Sequence, residues 1–290
     1  HTIVQCHVQD IMHYKDTALN LALTRLPTKC EFVCWCDCDV VFKNSQWADV
    51  VCNEMRQRRY SIVQPFFNVC LTDDQLRKTL LQCAVEEEGK EPTLDVQVVQ
   101  EEELLDHVHS FVCTPENGAT GYAWVAPRKV IQKTTFFPYS FAGNGCQLHA
   151  ALFTGRISTV QQSLLRFYTN SAAYKRVFNQ YKQRVQRNSI GARVGCLRLS
   201  LYHLFHGTPL TSRSPNNNHH EVLQTRAFSP LLHVQRHANG LYMWTDAFRE
   251  TGINAAILEL LNRDGKCISQ AWRSQRMKLR KLEEVRQLLH

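Results

Sequence analysis

Cys34-Trp35-Cys36-Asp37-Cys38-Asp39-Val40-Val41-Phe42 is an apolar stretch interrupted by two acids one residue apart. The residues that lead into it, Glu31 to Trp35, have the composition of a buried strand. A buried strand does not normally end in two carboxylates unless their charge has a partner. We therefore interpret Asp37 and Asp39 as metal ligands. Because strict strand alternation would place them on opposite faces, we also predict a turn at Cys38.

Carboxylates are hard oxygen ligands that suit Mg²⁺ or Mn²⁺, and these ions usually complete their coordination shell with substrate phosphates. A nucleotide diphosphate would fit such a site. His206 is a candidate third ligand, because a neutral imidazole at the end of a late strand could close the shell. The alternative interpretation of Asp37 and Asp39 is a surface loop with two ordinary acids, which fits the flanking Trp35 and Phe42 less well.

The hydrophobic periodicity predicts alternating strands and helices around this stretch. We expect strands at Ile3–Val8, Glu31–Trp35, Ser61–Phe67 and Arg193–His206, and an aromatic-rich strand after Gly121. We expect helices from Tyr14 to before Pro27, at Trp47–Arg58, Arg128–Thr134, Cys146–Phe153 and Ser171–Arg187, and from about Ile253. This order indicates an α/β fold with a mostly parallel, Rossmann-like sheet. Metal and phosphate sites are commonly built at the carboxyl edge of such a sheet.

The 290 residues are 44% hydrophobic, enough for a large core. We expect one domain over residues 1–265, with an acidic insertion at 85–110 and a basic helical tail at 266–290. No apolar run approaches 18 residues, so no membrane span is expected. The sequence starts at His1 without an initiator Met and shows no signal peptide, and we expect a preceding segment to be missing. The twelve cysteines lie mostly in apolar patterns, which favours a reducing compartment, the nucleus or the cytoplasm.

The net charge of +8 is unevenly distributed. Residues 73–116 carry twelve acids and three bases, whereas residues 156–213 carry ten bases and no acid. The segment 263–290 adds eight bases and three acids. Such segregation indicates a polyanionic partner, and a merely solvated basic face is the alternative.

Several motifs occur in the order found in one enzyme family. They are Lys15-Asp16-Thr17-Ala18-Leu19-Asn20, Leu26-Pro27, Trp35 to Phe42 with Trp47, Gln64-Pro65-Phe66, Gly121-Tyr122-Ala123-Trp124, Gly143-Asn144-Gly145 and Leu204-Phe205-His206-Gly207. This series resembles the GT-A glycosyltransferases of the fringe-like, phage and bacterial type, over roughly residues 3–265. The block Trp35 to Phe42 is the most specific part of the resemblance.

The resemblance implies the GT-A fold and a role for each matching residue. Asp37, Asp39 and His206 would hold Mn²⁺ or Mg²⁺ and the diphosphate of a nucleotide sugar such as UDP-glucose. Contacts to that donor would come from Lys15, Asn20, Trp35, Gly143, Asn144 and Gly145. The family begins with a nucleotide-binding strand ahead of the point where this sequence starts. Its glycine loop commonly continues into an Asp, where this sequence has Cys146. We take Glu116, in the turn before Tyr122, as the candidate catalytic base.

Within that family, the segregated charge and the composition resemble the glucosyltransferases that make base J by attaching glucose to hydroxymethyluracil in DNA. The expected DNA phosphate contacts are Lys175, Arg176, Lys182, Arg184 and Arg187, and such contacts are salt-dependent. Tyr122 and Trp124 could stack on an extruded base, or they could be plain core residues. Two alternatives stay open: a cytoplasmic transferase acting on a glycan or a protein, and a DNA-binding module with vestigial acids. A DNA acceptor would favour the nucleus.

Overall fold

The computed structural model describes residues 5–72, 109–112, 121–141, 145–153, 155, 171–188, 193–204, 222–223 and 226–263. The helices described are α1 (Lys15–Arg25), α2 (Trp47–Arg58), α3 (Arg128–Thr134), α4 (Gly145–Phe153), α5 (Ala172–Arg187), α6 (Pro230–His233), α7 (Asp246–Glu250) and α8 (Ile253–Arg263). The strands are β1 (Phe32–Cys36), β2 (Val40–Phe42), β3 (Ile62–Gln64), β4 (Asn68–Leu71), β5 (His109–Val112), β6 (Ala123–Pro127), β7 (Val194–Cys196), β8 (Ser200–His203), β9 (Val234–Arg236) and β10 (Tyr242–Trp244).

The strands form two four-stranded sheets of mixed orientation and one hairpin. The first sheet has the order β1-β6-β3-β7, the second has the order β2-β8-β4-β5, and β9 pairs with β10. Among the strands that the structure describes, only β3–β7 and β4–β8 are parallel pairs. The expectation of a mostly parallel sheet is therefore wrong. β1 and β3 do run in the same direction, as strand-helix-strand order predicts, but the antiparallel strand β6 lies between them.

Three strands of the first sheet continue directly into the second sheet. β1 leads to β2, β3 leads to β4, and β7 leads to β8, each through a three-residue link: 37–39, 65–67 and 197–199. The predicted strand Arg193–His206 is therefore two strands, because the chain bends at 197–199 to change sheets. Asp37 and Asp39 lie in the first of these links, so a bend of the fold, and not a loop tip, positions them.

Helices cover both faces of the first sheet. In β6, Trp124 and Ala126 face the large core that contains Phe136, Phe153 and the buried face of α5, whereas Val125 faces a smaller core with Val51 and Met55 of α2. All five residues named here from β6 and α2 are less than 5% exposed. Burial on both faces explains why this strand is a continuous apolar run.

The predicted helices are confirmed, with small shifts at their ends. α1 stops before Leu26, whose extended backbone leads into Pro27. α2 has the predicted bounds, but the Asn44 side chain accepts from the N–H of Gln46 and does not cap the helix itself. Ser171 caps α5, because its hydroxyl accepts from the N–H of Tyr174 at 3.1 Å.

The expected N-terminal strand is absent where it is described, and the expected insertion and tail lie mostly outside the described residues. Residues 5–8 form no strand, and residues 3 and 4 of the expected strand Ile3–Val8 lie outside the described part. The expected acidic insertion lies outside it up to residue 108, and the tail 266–290 lies wholly outside it. Among the helices that the structure describes, none has both the length and the apolar composition that a bilayer span requires.

A buried carboxylate ties the start of the described chain to its end. Asp10 accepts hydrogen bonds from the guanidinium of Arg249 at 2.9 and 3.0 Å, the amide of Asn254 at 3.0 Å and the N–H of Trp244 at 2.8 Å. Burial alone would raise the pKa of Asp10, but these hydrogen bonds outweigh it, and the pKa lies below its ordinary value. Asp10 is thus an ionised group that fixes 226–263 against the N-terminal segment.

Candidate site at the first sheet crossing

The link between β1 and β2 turns at Cys38 and Asp39, as the sequence predicts. Asp37 follows the last residue of β1, and Asp39 precedes the first residue of β2. The turn places both acids in the short link that leaves the end of β1. Each acid nevertheless has its own set of partners.

Asp37 is held by the backbone of Tyr122. Its N–H donates to the carbonyl of Tyr122 at 2.6 Å, and its Oδ2 accepts from the N–H of Tyr122 at 2.9 Å. Tyr122 has a φ of 67°, in the left-handed region that non-glycine residues rarely adopt. A Cβ on the preceding Gly121 would lie 3.2 Å from Asp37 Oδ2. Glycine at position 121 therefore allows the close approach of the chain to this carboxylate.

Lys15, the first residue of α1, supplies a cation to the same carboxylate. Its Nζ donates to Asp37 Oδ1, and the two side chains are 36% and 28% exposed. Burial alone would lower the pKa of Lys15, but the hydrogen bond and the charge of Asp37 outweigh it and raise the pKa above its ordinary value. Lys15 is therefore a permanent positive charge that solvent can still reach.

Asp39 faces a histidine that the sequence did not assign to the site. Its Oδ2 lies 3.3 Å from Nε2 of His203, in β8. The antiparallel pairing of β2 with β8 causes this proximity, because Val40 is in register with His203. The ring of His203 also packs edge-on against Tyr122, with centroids 5.1 Å apart. His206, the predicted ligand, lies outside the described residues.

A second buried carboxylate lies beneath the site. Asp16 is 3% exposed; it accepts from the hydroxyl of Ser140, and its Oδ1 lies 3.4 Å from Nδ1 of His149. Nε2 of His149 accepts the N–H of Phe137 at 2.9 Å, so Nδ1 carries the proton of the neutral ring. Burial lowers the pKa of His149. Lys15 and Asp16 thus face different ways, one toward Asp37 and the other into the core.

Gly145, which begins α4, lies directly against this carboxylate. A Cβ at position 145 would overlap Asp16 and lie 3.1 Å from the hydroxyl of Ser140. A negative charge is favourable at a helix N-terminus, where backbone N–H groups are unpaired. The predicted role of Gly145 as a donor contact is untested, and its observed role is to let α4 approach α1.

The remaining predicted donor contacts are used in packing. Asn20 pairs with the backbone of Phe136 through both amide atoms, at 2.9 and 2.8 Å. The ring of Trp35 packs edge-on against Phe136 and Phe153, and Trp124 is 4% exposed in β6. The core interpretation of Trp124 agrees with this burial. Outside the described residues lie Glu116, Gly143 and Asn144.

The space enclosed at the site is small. A cavity of about 20 Å³ lies between Lys15, Asp37, Tyr122 and Cys146, together with His149 and other residues. This volume accommodates roughly one water molecule. Burial raises the pKa of Cys146, so its thiol is neutral. Any larger ligand would bind across the open edge formed by Lys15 and Asp37.

The predicted DNA contacts lie on one helix, α5, which has a buried apolar face and a basic side toward solvent. Tyr174, Phe178, Tyr181 and Val185 of α5 are buried. On the solvent side, Lys175, Arg176, Arg184 and Arg187 are exposed and Lys182 is half-buried. The amphipathic basic helix that the sequence predicts is therefore present, about 16 residues long.

Within the described ranges, no group of three or more His, Cys, Asp or Glu side chains could hold a metal ion. Both oxygens of Asp37 already accept from Lys15 and Tyr122, whereas Asp39 and His203 place one carboxylate and one imidazole side by side. Two protein donors fit an ion that completes its shell with phosphate and water. No protein-family model, curated protein or solved structure matches this chain.

Proposed function

We propose that this protein transfers glucose from UDP-glucose to a hydroxyl group, on a fold of the GT-A type. The observation that carries the proposal is the bend 37–39, in which Asp37 pairs with the cationic Lys15 and Asp39 lies beside His203. A diphosphate needs a positive charge that it can reach from solvent, and the Lys15 ammonium is such a charge because its side chain is 36% exposed. The motif resemblance around Trp35 to Phe42 supports the same chemistry.

Lys15 would contact the diphosphate of the donor, and Asp37 would hold the ammonium in place. Asp39 and His203 would hold Mn²⁺ or Mg²⁺, with His206 as a further candidate ligand. When bound, such an ion supplies a Lewis acid that stabilises the leaving diphosphate. The acceptor oxygen forms a bond to the anomeric carbon and loses its proton to a base. The bond between that carbon and the diphosphate oxygen breaks, and UDP leaves.

The proposed acceptor is hydroxymethyluracil in DNA. The basic solvent side of α5 supports it, because five cationic side chains on one helix can neutralise several phosphates. The candidates for the remaining steps are Glu116 as the base and Tyr122 as a stacking surface for the extruded base. A DNA acceptor would place the reaction in the nucleus, and a glycan or protein acceptor would place it in the cytoplasm.

The test is transfer of labelled glucose from UDP-glucose to a duplex that contains hydroxymethyluracil, with the thymine duplex as the acceptor control. We expect D37N and D39N to reduce turnover at least about 100-fold, because D37N releases the Lys15 ammonium that contacts the diphosphate and D39N removes a ligand of the metal ion. D49N is the matched control, since Asp49 is an exposed acid of α2 outside the site.

Three outcomes distinguish the alternatives. Full activity in D37N and D39N would refute the proposed site. Transfer to glycans or proteins but not to either duplex would identify a different acceptor. DNA binding without any hydrolysis or transfer of UDP-glucose would identify a binding module.

A further inference from the structure

A basic groove lies at the end of β1 opposite Asp37. It has a volume of about 930 Å³, and its walls are the last turn of α2, the start of β1 and the first turns of α3. Its charged lining consists of Arg56, Arg59, Arg128, Lys129 and Glu31, a formal charge of +3. Since β1 has five residues, the groove and the site are separated by about 15 Å along the strand.

Two of the four cations are fixed by the protein itself. Arg56 forms an ion pair with Glu31 at 2.9 Å and lies over the ring of Phe32. Arg128 donates to the carbonyls of Leu26 and Pro27, at the end of α1. These contacts restrict both guanidinium groups, so less side-chain freedom is lost when an anion binds between them.

The other two cations, Arg59 and Lys129, are exposed to solvent. Arg59 is the residue after α2 and has a φ of 52°, a left-handed conformation in which glycine is usual. An arginine there costs about 1 kcal/mol of backbone energy. A cation near a helix C-terminus offsets part of that cost. Arg59 thus adds a solvent-exposed charge to the lining of the groove.

The groove adjoins the basic helix through α3. Arg128 and Lys129 begin α3 at the groove, and α3 packs against α5, where Tyr181 donates to the carbonyl of Thr135 at 3.0 Å. The groove itself is lined by four cations. A single small anion would need only some of them, whereas a chain of phosphates could contact all four.

We propose that this groove binds the sugar-phosphate backbone of a nucleic acid. Arginine guanidinium groups match phosphate oxygens in charge and in fork geometry. Bound there, the strand crosses the first sheet at the start of β1, about 15 Å from the Lys15–Asp37 edge. This inference extends the DNA-binding part of the proposed function and is independent of the sugar-transfer part.

The experiment is fluorescence anisotropy with a labelled oligonucleotide of about 20 nucleotides, as a single strand and as a duplex, over a series of NaCl concentrations. The groove variant is R59Q/K129Q. The matched control is R58Q/K133Q, which removes two charges from the same helices at positions outside the groove lining. Urea unfolding of both variants verifies that they are folded.

We expect R59Q/K129Q to bind at least about 10-fold more weakly than the unmodified protein. Its slope of log K against log salt should fall by about 1.4 for the single strand or about 1.8 for the duplex, since two phosphate contacts are lost. Whichever oligonucleotide, single strand or duplex, loses more binding affinity in the groove variant is the one that occupies the groove. Equal weakening in R58Q/K133Q, or no weakening in the groove variant, would overturn the proposal.

The same proteins separate this inference from sugar transfer. We expect UDP with Mn²⁺ to raise the melting temperature of the R59Q/K129Q protein as much as that of the unmodified protein, because the groove lies at the other end of β1. A groove effect without any UDP response would refute the sugar-nucleotide site and leave the groove standing. A rise in melting temperature with UDP, without weaker nucleic-acid binding by the groove variant, would support the sugar-nucleotide site and refute the groove.

Discussion

Asp10 and Asp37 each hold a basic side chain, Arg249 and Lys15, but they differ in how far water reaches them. The carboxylate of Asp10 is 0% exposed and accepts from four donors, including both sides of a guanidinium fork. Asp37 is 28% exposed, and its partner is the compact ammonium of Lys15, itself 36% exposed. One pair is closed to any further ligand, whereas the other remains accessible.

This difference separates a structural pair from a candidate binding pair. A buried carboxylate with every oxygen satisfied contributes to stability only as long as all its donors remain. A partly exposed pair contributes less, because water competes for both charges. Substitutions in the two regions should therefore have different consequences. Changes at Asp10–Arg249 should reduce stability, and changes at Lys15–Asp37 should reduce the response to ligand.

The largest expected effect is that of D10N. In either orientation the amide NH₂ group would face two donors, Arg249 with Asn254 or Arg249 with the N–H of Trp244, and we expect a loss of about 3 kcal/mol in the free energy of unfolding. Urea unfolding at neutral pH measures it. D246N is the control: it removes a carboxylate from the same Arg249, but the Asp246 side chain is 82% exposed, so a loss below about 1 kcal/mol is expected. Similar losses in both variants would contradict the structural role of Asp10.

The next effect is that of G145A, which tests the packing beneath the site. A Cβ at 145 would overlap the Asp16 carboxylate, so we expect a loss of about 1–3 kcal/mol, although alanine normally favours a helix. The double variant D16A/G145A removes the overlapping atoms. Its loss should be smaller than the sum of the D16A and G145A losses, as a double-mutant cycle would show. Additive losses would mean that the two residues do not interact.

A smaller effect is expected from pH at His149. Its pKa is lowered in the folded protein, so the unfolded chain binds a proton first as the pH falls through about 6.5. Stability from this residue is present above that pH and is lost below it, by at most about 1.4 kcal/mol per pH unit. H149Q should show a shallower loss between pH 7 and 5 than the unmodified protein. The variant H237Q, at an exposed position, should keep the full slope.

The helices and the turn around the first sheet could be predicted from the sequence. α2 and α3 have the predicted bounds, because apolar spacing and the flanking residues decide short-range structure. The turn at Cys38 followed from strand alternation, since two acids cannot share an edge without a bend. These inferences use only residues a few positions apart in the chain.

The pairing of the strands could not be predicted in the same way. β6 separates β1 from β3 although it lies about sixty residues after β3, and nothing in β1 or β3 specifies that neighbour. The proximity of His203 to Asp39 depends on the β2–β8 register, a contact between distant strands. Asp16 gave no signal either, because a buried acid in the first turn of α1 has the same sequence pattern as a solvated one.

The smallest expected effect on stability is at Lys15 and Asp37. Because this pair is accessible whereas Asp10–Arg249 is not, its substitution should have the larger effect on the binding of UDP with Mn²⁺. We expect K15Q and D37N each to lower the free energy of unfolding by less than about 1 kcal/mol, because the pair is partly exposed to water. An asparagine at 37 can still accept the N–H of Tyr122 through its side-chain oxygen. UDP with Mn²⁺ should raise the melting temperature of the unmodified protein and of K43Q, an exposed lysine control. The same addition should not raise that of K15Q. A stable K15Q protein that still responds fully to UDP would show that this pair, like Asp10 and Arg249, has only a structural role.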